Sequence, residues 1–393
     1  MRIGIDATTW WNRRGFGRFT RLLLTAMLAA PRDHQFVLFV DQPPTPEMLR
    51  PHVKVVQVAT SATVTEAAVA DGSRRIGDLL AFRRAVGRER LDVMYFPAVY
   101  SWYPTAGGAP TVITFHDAIA EHYSDLIFPN RLGQFLWNAK TWLARRTSRA
   151  FTTVSESARD EIVRYMGIPR ERIHVILEAA DPSFRPVTDA AARADTRSRL
   201  RLPADARLLI YVGGLAPHKN LLRLIEAYAR ALDTPAAEDI HLVFVGDPEG
   251  DGFHSNYEAL RARVDGDPRL SPRVHFTGFV SDADLVALYS DALVVAMPAL
   301  SEGFGLPAAE AIACGTPVIA SRGGAVAEVV GKAGLFFDPL DVADMARVIV
   351  EIATDRARVA KLKAACGPRA AELSWPRAAS ATLDVLEACA RSR

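Results

Sequence analysis

Cysteine is scarce in this 393-residue chain, which carries only Cys314, Cys366 and Cys389. An odd number at such wide spacing builds neither a disulfide framework nor a CxxC metal site. No run of about 18 apolar residues occurs, which excludes a membrane-crossing helix. The opening stretch Met1-Arg2-Ile3-Gly4-Ile5-Asp6 reads as a buried strand and not as a secretory leader, so a cytosolic protein is expected. Glycine (25) and proline (24) stand near average usage, ruling out collagen-like and low-complexity classes. At 49% hydrophobic and 23% charged residues, bulk disorder is excluded too. What remains is a globular chain long enough for two domains of about 150 residues or more.

Charge is balanced overall at +2 but not along the chain. Residues 1–186 hold 24 Lys and Arg against 18 Asp and Glu, and the remainder holds 23 against 27. A basic first half suits an anionic partner such as a phosphorylated acceptor or a membrane surface; scattered solvated arginines explain it equally well.

Short apolar runs, many of them rich in Val and Ile, recur at 2–6, 36–41, 53–58, 93–96, 111–115, 150–154 and 173–177. After Pro186 the series restarts at 208–212, 241–245, 274–276, 293–297, 317–320 and 335–337. Uninterrupted runs of this kind are strands buried on both faces. Helical patterns fall between them; Leu221, Leu224, Ile225, Tyr228 and Leu232 share one helix face. The alternation predicts an α/β fold of two doubly wound, parallel-sheet domains facing across a cleft, the default ligand site. The polar stretch 182–206, with Pro182, Pro186 and Pro203, marks the boundary. The expected domains are 1–186 and 187–374, with a helix over 375–393 packing back on the first.

The most informative segment runs from Ser301 to Pro317. Residues 306–314 read as a helix with Pro307 in its first turn and Gly315 just past its end. Glu302 then lies in a loop at the carboxyl edge of a sheet, and Glu310 about one turn into the helix. Gly303 and Gly305 leave backbone N–H groups unobstructed where the helix dipole favours an anion such as a diphosphate. One carboxylate can accept from both ribose hydroxyls while a second faces a sugar ring. A nucleotide sugar fits that set. For Glu310 alone, a carboxylate that merely complements the helix dipole is an equal reading.

Glu302 and Glu310 stand in "PALSEGFGLPAAEAIACGTPVIAS", which closely resembles the E-x7-E signature of the retaining glycosyltransferases of family 4, with the GT-B fold. "IGIDATTWW…GFGRFTRLLLTAM" is similar to that family's first strand, glycine loop and first helix. "TVITFHDAI", "FTTVSESARDEI", "YVGGLAPHKNLLRLIEAY" and "VHFTGFVSDADLVALYSDA" resemble its further motifs in the same order, and a tryptophan-led C-terminal helix fits. The order carries more weight than any one of them.

The resemblance implies site residues. Lys219 would neutralise the donor diphosphate as a point charge. Gly214 would border the donor; it and His218 stand near Lys219 where the family usually carries an Arg, so the second phosphate contact is missing, and His218 or Arg18 are the candidate substitutes. Gly17, in the loop Gly15-Phe16-Gly17, would approach the donor. Phe279 and Val280 would read the nucleobase through their backbone, with strand-end packing as the alternative. Gly303, Phe304, Gly305 and Leu306 would meet the diphosphate and Glu310 the ribose. Glu302 and His116 would be catalytic, facing the donor sugar, and Asp117 would contact acceptor hydroxyls or orient His116.

Together these imply hexosyl transfer from a UDP- or GDP-linked sugar to a hydroxyl acceptor, in glycan or polysaccharide synthesis. No cofactor or metal is expected, and no nucleic acid partner. Competing readings are a catalytically degenerate binding subunit and a nucleotide-sugar epimerase on the same fold.

Other signals point elsewhere. Asp282-Ala283-Asp284 mimics a DxD metal motif, but Ser281 before it and Asp284 three positions on read as a capping box. A dinucleotide-binding dehydrogenase fails on spacing: Asp41 is well placed, but Gly15-x-Gly17-x-x-Thr20 comes nine residues after the first strand and lacks the third glycine. No nucleophile elbow and no zinc ligand set is present. Residues 131–149 mix Phe135, Trp137, Trp142 and Leu143 with Lys140, Arg145, Arg146 and Arg149. They read either as a helix lying on the inner membrane face, near a lipid-linked acceptor, or as a packing helix with a basic flank, and the second is preferred.

Overall fold

Each of the thirteen apolar runs forms a parallel strand in the computed structural model, with ends within two residues of expectation. The structure describes all residues but 13–14, 62–74, 125–127, 129, 248–254 and 393. Two compact units result: Met1–Glu178 with Ser374–Arg393, and Ala179–Leu373.

The first unit holds β1 (Arg2–Asp6), β2 (Gln35–Val40), β3 (Val53–Gln57), β4 (Val93–Phe96), β5 (Thr111–Thr114), β6 (Ala150–Thr153) and β7 (Ile173–Val175). Their order is β3-β2-β1-β4-β5-β6-β7, so the winding reverses between β1 and β4. β4, β5 and β6 are buried along their whole length, which is why they read as unbroken apolar runs and not as alternating ones. Its helices are α1 (Gly15–Ala29), α2 (Ile76–Gly87), α3 (Ile119–His122), α4 (Arg131–Thr147) and α5 (Glu156–Glu161).

The second unit repeats the scheme. Its strands are β8 (Arg207–Val212), β9 (Ile240–Val245), β10 (Val274–Gly278), β11 (Val294–Met297), β12 (Val318–Ser321) and β13 (Gly334–Phe337). The order β10-β9-β8-β11-β12-β13 reverses between β8 and β11. Its helices are α6 (Ala190–Arg199), α7 (Leu221–Ala231), α8 (Tyr257–Asp265), α9 (Asp282–Asp291), α10 (Leu306–Ala313), α11 (Gly324–Val330), α12 (Val342–Thr354) and α13 (Arg356–Glu372). Leu221, Leu224, Ile225 and Tyr228 do share the buried face of α7, packed with Met345, Ile349 and Ile352 of α12.

Residues 179–186 fall in the second unit, where the sequence reading drew the line after 186. Phe184 sets its ring against Tyr289 of α9 at 6.1 Å, and the Val187 amide donates to Ser290 Oγ at 2.9 Å. The last helix, α14 (Trp375–Arg391), belongs to the first unit. Trp375 packs edge-on to Phe19 of α1, and Arg32 bridges to Asp384 and Glu387. Ser374 occupies the N-cap position of α14, but its side chain makes no capping bond.

Candidate functional site

In the second unit the loops after β8 and β11 flank the point where the strand order reverses, the place where open α/β sheets bind ligands. Lys219 comes from the first loop and Glu302 from the second, and they meet: Lys219 Nζ lies 2.7 Å from Glu302 Oε1. Backbone contacts brace the two loops. The Leu300 amide donates to the His218 carbonyl at 2.9 Å. Asn220, buried and left-handed at φ 62°, donates through Nδ2 to the carbonyls of Pro298 and Pro339. Asn is one of the few side chains that tolerates that conformation, so it fixes Lys219 immediately before it.

His218 differs from the missing Arg in charge. Burial, and next the adjacent Lys219 ammonium, push its ring down to about 4, so it is uncharged at neutral pH. Arg18 lies in α1 of the other unit. Gly214 is exposed, has no positive φ, and a Cβ there would meet nothing within 4 Å. Tyr211 donates its hydroxyl to the Gly214 carbonyl at 2.6 Å, and burial, then the Glu302 charge, hold that hydroxyl protonated.

Gly305 caps α10 in the left-handed region at φ 93°, and Leu306 and Pro307 are its first helical residues. Gly315 follows the helix at φ 83°. No side chain caps this N-terminus, where the helix dipole favours an anion; Pro307 has no N–H and the Ala308 amide donates to the Gly305 carbonyl at 2.9 Å. Gly303 and Phe304 are buried beside it. Glu310 is only 3% exposed, with the Tyr289 hydroxyl donating to its Oε2 at 3.4 Å. It sits deeper than Glu302, as a second carboxylate inside the site must, yet little of it is open before a ligand arrives.

Phe279 follows β10 and is 80% exposed, which removes strand-end packing as its explanation; Val280 beside it is buried. Ser281 caps α9, accepting from the Asp284 amide while Asp284 pairs with Arg199. Among the described residues no group of His, Cys, Asp and Glu has a metal-binding arrangement.

The first unit collects a different set. His116 follows β5, and its Nε2 donates to the Pro97 carbonyl after β4 at 3.0 Å. Nδ1 faces Glu178 Oε1 at 3.5 Å, and the Phe19 ring meets the imidazole edge-on. Both ring nitrogens are therefore held by the protein. Burial pushes the Glu178 carboxyl up against the lowering pull of His116, and its Oε2 has no partner among the described residues. Sequence reasoning missed Glu178; its signal was an acid directly after an apolar run. Asp117 turns Oδ1 to the Ile119 amide at 3.0 Å, an Asx-type turn. Gly17 is not in a loop: Gly15–Gly17 open α1, and a Cβ on Gly17 would lie 2.0 Å from the Asn12 carbonyl oxygen. Close backbone approach explains that glycine without a ligand.

Residues 192–372 match the family model for glycosyl transferases group 1, and residues 13–184 match that for glycosyltransferase family 4. A D-inositol 3-phosphate glycosyltransferase of Nocardioides sp. is 32% identical over 340 residues, covering 79% of this chain and 71% of that protein. The chain belongs to the GT-B glycosyltransferases. Serotype-specific mannosyltransferase WbdA of Escherichia coli is 30% identical over 237 residues, which is 60% of this glycosyltransferase but only 28% of WbdA. The match to a Streptomyces bingchenggensis D-inositol 3-phosphate glycosyltransferase, at 34% identity, takes in 59% of this chain and 51% of that one. Two solved structures share the fold. Sucrose-phosphate synthase from Thermosynechococcus elongatus gives a TM-score of 0.73 at 21% identity, with both chains covered in full. Anabaena Alr3699/HepE in complex with UDP and glucose gives 0.71 at 18%, covering 98% and 99%.

Proposed function

We propose that this glycosyltransferase moves a hexosyl group from a nucleoside diphosphate sugar to a hydroxyl acceptor with retention at the anomeric carbon, in glycan assembly. The reading is carried by the Lys219–Glu302 pair at the strand-order reversal, one residue of each sign beside an uncapped helix N-terminus. The N-terminal end of α10 and Lys219 receive the diphosphate, displacing the ammonium from its resting partner. Glu302, released from Lys219, stabilises positive charge on the anomeric carbon. Glu310 takes the ribose hydroxyls, and Phe279 and Val280 border the base.

Retention follows from attack on the face the diphosphate leaves. The bond from the anomeric carbon to phosphate oxygen breaks as the acceptor oxygen bonds that carbon. The acceptor proton passes to a phosphate oxygen, and nucleoside diphosphate departs. His116 contributes a fixed ring, not a proton acceptor, because both its nitrogens are engaged. Asp117 contacts the acceptor. The reaction needs no resident metal, since Lys219 and the helix dipole meet the phosphate charge and Asp284 is committed to a cap and to Arg199.

Thermal unfolding with UDP, GDP, ADP, CDP and dTDP in EDTA tests the site. A ligand at 100 times its Kd adds about 2.7 kcal/mol, a midpoint shift of a few degrees. One diphosphate is expected to stabilise the protein strongly and lose its effect in Lys219→Ala. No stabilisation by any of them at millimolar concentration would favour a non-catalytic binding subunit instead.

A further inference from the structure

The helix α4 is turned the wrong way out for a packing helix. Asn130 caps its start by accepting from the Gly133 amide, and the helix runs 17 residues, about 25 Å. Only Thr141 and Ala144 are buried, with Trp137 and Leu143 partly covered by the core. The opposite stripe reads Leu132, Phe135, Leu136, Ala139 and Trp142 at helical spacing. Leu132 and Phe135 are each 67% exposed, and Leu136 and Trp142 each 50%. A soluble surface helix places polar side chains on that face. The packing helix with a basic flank preferred from sequence describes the inner face; the aromatic residues divide between the core and solvent.

Charge says what covers the stripe. Between positions 131 and 149 stand Arg131, Lys140, Arg145, Arg146 and Arg149, and no Asp or Glu. Arg145 and Arg149 donate to the carbonyls of Met166 and Ser392, neutral acceptors, and Arg145 also faces the Glu121 carboxyl on the inner side. Lys140 reaches the Tyr100 carbonyl at 2.6 Å. Arg146 lies 5.0 Å over the Trp142 ring. Among the described residues, a carboxylate packed against the helix is Glu121, which accepts from Trp137 Nε1 on the inner side, and burial raises it toward its neutral form.

We infer that α4 is a membrane-docking helix that lies in the interface of an anionic phospholipid bilayer. Leu132, Phe135, Leu136 and Trp142 enter the acyl boundary, while Arg131 and Arg146 sit at phosphate level. A protein partner matching this face would need an acidic, apolar groove; a bilayer of anionic lipid supplies both properties in one plane. Among the described residues no helix is long and apolar enough to cross a membrane, so the attachment is peripheral. This inference does not depend on the donor chemistry proposed above, since none of these residues belongs to that site.

Co-sedimentation of the full chain with vesicles tests it. Binding to phosphatidylcholine vesicles containing phosphatidylglycerol is expected to exceed binding to pure phosphatidylcholine at least tenfold and to weaken in high salt. Phe135→Ser with Leu136→Ser should reduce it at least tenfold with an unchanged unfolding midpoint, because both side chains are already exposed. Arg131→Glu with Arg146→Glu should remove the preference for anionic vesicles. Absence of binding to either vesicle, or undiminished binding by the serine variant, overturns the inference. So does a concentration-dependent dimer that the serine variant dissociates without any vesicle binding, which would assign the stripe to a second copy of this chain.

Discussion

The unit Ala179–Leu373 places an ion pair at its strand-order reversal, Lys219 with Glu302 at 2.7 Å, both side chains less than one-fifth exposed. The unit Met1–Glu178 with Ser374–Arg393 places His116 against Glu178 at 3.5 Å, with the carboxyl 4% exposed and its second oxygen without a partner among the described residues. The sheets follow one winding scheme, so topology does not account for the difference; the loops do. Braced loops after β8 and β11 present opposite charges that an anion can part. The chain after β5 and β7 closes over a ring whose nitrogens are already engaged. One edge is built to exchange partners, and the other to hold a shape.

The largest effect that tests this contrast comes from the exchangeable pair. Glu302→Gln keeps the hydrogen-bonding outline and removes the charge, so nucleoside diphosphate should still bind while turnover falls by on the order of 10²–10³. Sugar transfer and slow donor hydrolysis, measured beside thermal shift, separate the two effects. Full turnover with normal binding would remove Glu302 from the chemistry. Lys219→Ala should lose diphosphate stabilisation itself.

Next come Gly17 and Gly214, two of the four glycines that the family resemblance assigned to the donor. Gly17→Ala drives a methyl into the Asn12 carbonyl, and cost of about 1–3 kcal/mol is expected in denaturant unfolding. Gly214→Ala meets open space and should stay within about 0.5 kcal/mol. Equal effects at the two positions would break the distinction between a steric and an open glycine.

Glu178 gives a smaller effect, in pH dependence. Burial raises its carboxyl above the ordinary 4.5, so the folded protein keeps a proton that the unfolded chain releases. Its stabilising contribution is full below 4.5 and is lost as pH rises through the raised value. Glu178→Gln has no such loss, so urea melts from pH 4.5 to 8 should show the variant gaining relative to the parent as pH increases. A flat or opposite trend would mean His116 holds Glu178 charged, and the two edges would then resemble each other.

How much of this was legible beforehand follows from what is local. Strands buried on both faces leave unbroken apolar runs, so β4, β11 and β12 were readable, as was the α10 start at Leu306-Pro307 and its end at Gly315. Ser281 as the cap of α9 was equally local. Long-range contacts were not. Nothing near Glu178 in sequence names His116, 62 positions earlier, and nothing near Gly17 reveals the Asn12 carbonyl folded against it. His218 looked like a spare cation because burial, which decides its charge, is a property of the folded loop. For α4, the sequence showed aromatic and basic residues mixed but not which of them faced away from the core.

The smallest predicted effect is a gain. Among the described residues, Lys219 is the one formal side-chain cation assigned to the proposed diphosphate, since burial pushes His218 down to about 4. Gly214 is exposed with ordinary backbone torsions and open space at its Cβ, so an arginine fits there without strain. Gly214→Arg should tighten nucleoside diphosphate binding a few-fold and steepen its decline with salt, because the added contact is charge on charge at a wet rim. Calorimetric titration of the diphosphate that stabilises the parent, at low and high salt, reads both. An unchanged affinity would place the phosphates away from the Gly214 loop and closer to the N-terminal end of α10. A gain that vanished in Lys219→Ala would show the two cations acting on one anion, as the edge built for exchange requires.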